Sequence, residues 1–128
     1  MKALALDFGS ARTGVAVSDP SGTLARPVET VERATTPAGL ARVLALVAEH
    51  EVDVVVVGLP LTLRGEVGEQ ARATEAFVAE LRARSPVPVE TWDERFTTTL
   101  AQRGASSAPE DALAAAHLLQ SWLDRRSS

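Results

Sequence analysis

Three places in this 128-residue chain carry carboxylates where chemistry, rather than solubility, would account for them. Asp7 ends an apolar run, Asp93 and Glu94 end another, and Asp111 opens a helical stretch. In an open α/β sheet, ligands collect beyond the carboxyl ends of the strands, so acids at element ends can converge there. Converging carboxylates raise one another's pKa unless a cation lies among them. A hard divalent ion, Mg²⁺ or Mn²⁺, suits such an oxygen-only set and takes substrate phosphate oxygens as further ligands. Two such ions can stabilise both the attacking water and the leaving oxygen of a phosphodiester, which is nuclease chemistry. Each acid alone has a plainer reading: Asp7 as a strand terminator, Asp93 as an Asx-turn residue, Asp111 as a charge facing a helix dipole. The joint pattern outweighs these, because Asp7 directly follows the core residues Leu4 and Leu6, where a solvated Asn or Ser would be less costly.

The remaining polar candidates are fewer. Twelve of the thirteen basic residues are Arg, whose planar fork grips phosphate. Arg12, Arg64, Arg72, Arg95 and Arg103 lie in or beside the stretches LDFGSARTGVAVSD, VVVGLPLTLRGEVGEQA and WDERFTTTLA, although a general use of Arg in place of Lys explains surface positions as well. Thr97, Thr98 and Thr99 stand where they would cap a helix or hold a phosphate at its N-terminus. His50 lies at a helix end, and His117 is six residues beyond Asp111, off the i+4 face needed for a shared ligand pair. Trp92 and Trp122 suit core packing better than base stacking. Ser10 and Ser18 have no nearby His to activate them.

Strand-like runs at Lys2 to Phe8, Gly14 to Ser18 and about Thr23 to Val31 predict an antiparallel meander, with GSART as the first connection. TTPAGLARVLALVAEH then turns helical, with Thr35 or Thr36 as N-cap, Pro37 first and Leu40, Val43, Leu44 and Val47 as the apolar stripe. DVVVVGLP reads as a central strand buried on both faces. A polar loop leads to a helix over Glu69 to Arg84, with Ala73, Ala76, Phe77 and Leu81 inward. VETW forms the last strand before DER. Helices follow over about Thr97 to Arg103 and, after GASSA, from Pro109 through the Asp111 segment. The order βββαβαβαα predicts one α/β domain, residues 1–128, with a mixed five-stranded sheet covered by helices on both faces.

Composition narrows the functional classes. With no cysteine, disulfides, thiolate metal sites and a cysteine nucleophile are excluded. The start MKALALDFGS has an apolar run too short and too soon broken for a signal peptide or a membrane span, so a cytoplasmic location is expected. A net charge of −4 argues against a generic basic nucleic-acid coat but leaves room for a nucleic-acid enzyme.

LDFGSARTGVAVSD, VVVGLPLTLRGEVGEQA, WDERFTTTLA and EDALAAAHLLQSWLD, in this order across nearly the whole chain, resemble the YqgF family, also called RuvX and described as pre-16S rRNA nucleases or Holliday junction resolvases. The resemblance implies a ribonuclease-H-like fold related to RuvC and a Mg²⁺- or Mn²⁺-dependent nuclease. It matches Asp7, Glu94 and Asp111 to the family's acids, with Asp93 as a substitute for Glu94, which must reach across a neighbouring strand. It matches Arg12 and Arg95 to the family's basic residues. Arg64 and Thr97 are further substrate-contact candidates, and Gly58 of the GLP turn is read as letting backbone approach the substrate. The loop after GLP departs from many members, carrying Thr62 and Arg64 in place of Asn and Asp. Structured RNA, branched DNA and ribosomal precursor particles are the implied partners. Symmetric junction cutting would call for a homodimer, single-site RNA trimming only for a monomer. Two other classes remain. The first stretch is also similar to the phosphate loop of actin-like and sugar-kinase ATPases, which need two such domains where this chain has room for one. The acidic balance also fits a nucleic-acid-binding assembly module with little catalysis.

Overall fold

The apolar runs assemble into a mixed sheet that divides the chain's helices between its two faces. In the computed structural model, residues 1–62, 64–96 and 110–127 are described. In chain order the elements are β1 (Ala3–Asp7), β2 (Arg12–Ser18), β3 (Ala25–Glu32), α1 (Pro37–Glu49), β4 (Val54–Leu59), α2 (Glu69–Arg84), β5 (Val89–Asp93), a 3₁₀ turn (Glu94–Phe96) and α3 (Glu110–Ser127). The sheet order is β3-β2-β1-β4-β5. The meander pairs β1, β2 and β3 antiparallel, and β4 and β5 add on parallel. The helix expected over Thr97 to Arg103 and the GASSA break lie outside the described residues.

Alternation along the strands sorts residues by size as well as polarity. Leu4, Leu6, Phe8, Val15, Val17, Val55 and Val57 pack with α1 and α2 in one core. Ala3, Ala5, Ala16, Val54 and Val56 pack with Ala115, Leu118, Leu119 and Trp122 of α3 in the other. The short side chains under α3 let its backbone come close to the sheet. β4 contributes to both cores, as its continuous valine run predicts.

Several boundaries and faces differ from the sequence reading. β2 begins at Arg12, two residues early, because Arg12 pairs with Glu32 of β3 and Arg33 N donates to Ala11 O at 3.0 Å. Thr36, not Thr35, caps α1, accepting from Gly39 N at 3.1 Å. In α2 the expected inward residues Ala73 and Ala76 are exposed, while Ala71, Thr74 and Val78 join Phe77 and Leu81 in the core. The helix is turned so that Phe77 stacks on Phe8, ring centroids 4.6 Å apart. On α1 the buried set includes Leu46, and Leu44 is only partly covered.

Candidate active site

Asp7 ends β1 on the α3 face, following Ala3 and Ala5 in the alternation. The strand positions on either side of it are glycines. Gly14 of β2 is its partner in the ladder, and Gly58 of β4 directly follows Val57, the partner of Leu6. Neither glycine could take a Cβ without displacing a neighbour. A Cβ on Gly14 would lie 1.8 Å from the backbone carbonyl oxygen of Asp111, so this gap is what admits the first turn of α3. A Cβ on Gly58 would lie 2.5 Å from Glu94 Oε2 and 2.3 Å from Leu118 Cδ1. Glu94 thus folds back over β4 toward β1, which is how an acid from beyond β5 spans the intervening strand. Gly58 makes room for that side chain.

The electrostatics follow from this placement. Burial, with Asp111 nearby, pushes Asp7 from the ordinary 3.8 up to about 6. Burial, then Asp7, then Asp93, pushes Glu94 from 4.5 up to about 7. Among the described residues no hydrogen-bond donor reaches either carboxylate. Asp93, adjacent in sequence, has the opposite environment. Its carboxylate accepts from Arg95 N at 3.0 Å, as an Asx turn does, and from Arg95 Nε at 3.0 Å and Nη2 at 2.5 Å. Those bonds hold its pKa below the usual carboxylate range. Asp93 is thus committed to Arg95, whereas Glu94 faces Asp7.

Asp111 sits in the first turn of α3, and its Oδ2 accepts from Arg12 Nε at 3.0 Å. Among the described residues, no three His, Cys, Asp or Glu side chains stand close enough as they are to hold a metal ion. Asp7 and Glu94 nevertheless suit one chemically: two half-buried carboxylates without a donor among the described residues, raised by burial and by neighbouring acids (Asp111 for Asp7, Asp7 and Asp93 for Glu94), are what a hard cation relieves. Arg95 lies against the loop after β4, with Nη1 3.2 Å from where a Cβ on Gly65 would stand. Arg64, beside that glycine, is exposed. Thr97 lies outside the described residues.

The two histidines are elsewhere. His50 is the C-cap of α1, and burial, then Lys2 and Arg26, lower its pKa. His117 is half-buried in a groove of about 390 Å³ between α3 and β3. Trp122 is buried under α3, and Trp92 packs at the margin of the same core. Phe96, not singled out from the sequence, is 49% exposed two residues after Glu94, with the Arg125 guanidinium 4.8 Å from its ring.

The RuvX family model, described as Holliday junction resolvase, matches residues 1–125. The chain belongs to the RuvX family. It is 46% identical over 138 aligned positions to a "Putative pre-16S rRNA nuclease" of Rhodococcus erythropolis, covering 97% of this chain and 78% of that one. A protein of the same name from Desulforudis audaxviator is 39% identical and covers 100% of this chain and 97% of its own length. Among solved structures, Thermus thermophilus RuvC in complex with a Holliday junction substrate superposes with a TM-score of 0.62 at 20% identity, covering 100% of this chain and 96% of that one. The fowlpox virus Holliday junction resolvase gives 0.55 at 14% identity, over 98% and 99%. Those likenesses establish the fold: this family member shares the ribonuclease-H-like architecture of RuvC, as its motifs predict. No helix among the described residues is long and apolar enough to cross a membrane.

Proposed function

We propose that this RuvX member is a metal-dependent nuclease that hydrolyses phosphodiester bonds, with the 5′ end of the 16S rRNA precursor as its substrate. The observation that carries the reading is the neighbouring pair Asp7 and Glu94, half-buried at the strand ends without a hydrogen-bond donor among the described residues. Asp7, Glu94 and Asp111 would hold the metal. Two Mg²⁺ or Mn²⁺ ions bound there would supply an activated water and offset charge on the phosphodiester oxygens. Arg12, Arg64, Arg95 and Thr97 grip the substrate backbone: Arg12 beside Asp111, Arg95 fixed by Asp93, Arg64 from the loop after β4. The rRNA assignment rests on the names of relatives, and ribosomal precursor particles are the partner proposed with it.

Cleavage of a Holliday junction is the second reading, favoured by the family description and by the RuvC fold. It is the same chemistry on a four-way DNA, and needs two copies of the chain acting in symmetry. The test is incubation of the purified protein with a 16S precursor RNA and, separately, with a four-way DNA junction, under Mg²⁺, Mn²⁺ or chelator. Cleavage of the RNA that stops with chelator and returns with Mn²⁺ is expected. Cleavage of the junction alone moves the assignment to the second reading, and binding without cleavage of either moves it to an assembly module.

A further inference from the structure

Asp111 is placed to join Asp7, but its carboxylate is already engaged. Its backbone carbonyl lies over Gly14, the ladder partner of Asp7, while its Oδ2 accepts from Arg12 Nε. Arg12 stands two residues before Gly14 on β2, hence on the same face, and flanks the start of α3. Its side chain is 63% exposed and that of Asp111 39%, so a ligand arriving from solvent can reach the guanidinium. A guanidinium presents the same donor fork to a carboxylate and to a phosphate, and an ion pair this open is weak enough to exchange one for the other.

We propose that Arg12 is a latch: it holds Asp111 in the free protein, and a backbone phosphate of the nucleic acid that takes over its guanidinium releases Asp111 toward Asp7. This rests on the nuclease reading, and it makes Arg12 a positioning residue as well as a substrate contact. The carboxylate set fills when substrate backbone is present.

A double-mutant cycle on Mn²⁺ affinity, followed by the electron paramagnetic resonance of the free ion, separates this from simple charge repulsion. Arg12→Met is expected to tighten Mn²⁺ binding about threefold to fivefold, the range an exposed ion pair allows. In the Asp111→Asn background the same change is expected to have less than about half that effect, because no carboxylate is left to release. Equal factors in both backgrounds overturn the latch, since loss of a positive charge acts alike on both. Arg12→Lys, which keeps the charge and loses the Nε donor, is expected to follow Arg12→Met. Asp7→Asn distinguishes the two levels: if it leaves Mn²⁺ binding unchanged the metal reading itself fails, and if it abolishes binding while the cycle is additive only the latch fails. The phosphate half is read from the Arg12 Nε–H resonance in chelator, which is expected to move on adding a short single-stranded RNA. A resonance unmoved at saturation overturns it.

Discussion

Under α1 and α2 the sheet presents Leu4, Leu6, Phe8, Val15 and Val17, whereas under α3 the same strands present Ala3, Ala5, Asp7, Gly14 and Ala16. The first face is filled by large side chains and holds the layers at ordinary side-chain separation. The second is stripped of bulk, so that a helix backbone lies almost on the strands and the Asp111 carbonyl sits over Gly14, the ladder partner of Asp7. Bulk stabilises one face, and the lack of it makes room for the candidate site on the other. Mutations should therefore separate stability from chemistry according to the face they touch.

The sharpest separation is expected at Asp7. Asp7→Asn should cut metal-dependent cleavage about a thousandfold, in line with loss of a group acting on transition-state charge, while the chain still folds. Cleavage within tenfold of the parent, in a quantitative assay on the same RNA, would remove Asp7 from the chemistry.

Next come two substitutions on opposite faces. Leu6→Ala leaves a cavity in the larger core and should cost about 2–5 kcal/mol, with the rate per folded molecule unchanged. Gly14→Ala drives a methyl into the Asp111 backbone and should cost about 1–3 kcal/mol by overpacking, with the rate per folded molecule reduced as well because α3 is lifted. Urea unfolding beside single-turnover cleavage reads both quantities. Equal loss of rate in the two variants would erase the distinction between the faces.

A smaller effect concerns pH. Asp7 and Glu94 titrate in the folded chain at about 6 and about 7, above their ordinary 3.8 and 4.5. Between about pH 4 and 7 the folded state thus binds more protons than the unfolded one, and this pair makes stability fall as pH rises through that window. Measured in chelator, Asp7→Asn should flatten the fall and be about 2 kcal/mol more stable than the parent at pH 8, with little difference at pH 4. A parent as stable as the variant at pH 8 would show the two carboxylates to be better satisfied than their surroundings indicate. Asp19 offers the contrast within the chain: held by Ser21 Oγ and by the backbone N–H groups of Thr23 and Leu24, it is lowered to about 2 and has no part in that window.

The smallest change in stability is expected for Gly58→Ala. Its new methyl meets only side chains, Leu118 Cδ1 and Glu94, which can swing aside. Stability should move by no more than about 1 kcal/mol while cleavage falls as Glu94 is displaced. Unaltered cleavage would mean that Glu94 need not lie over β4.

How far this was readable beforehand differs by feature. The valine run of β4 and the Pro37 start of α1 announced themselves through local chemistry, and the structure follows them. The inward face of α2 was misjudged because Ala73 and Ala76 fit a helix equally well inside or outside, and only the long-range stack of Phe77 on Phe8 turns the helix. The three acids were legible as residues at element ends, and the family motifs pointed to the same positions. What could not be read was their company. Asp93 and Glu94 are neighbours of like charge, and it takes the fold to give one an arginine and the other the half-buried Asp7. Gly14 carried an unread signal: a glycine inside a strand marks close approach of another backbone.

The contact between Arg12 and Asp111 joins residues 99 apart in sequence. On a growing chain Asp7 and the whole meander exist long before α3 has been made, and closing so long a loop is among the slowest steps in forming such a fold. A half-synthesised molecule therefore carries Asp7 and no partner from α3, so the acidic cluster is assembled late, as one of the last events of folding rather than one of the first.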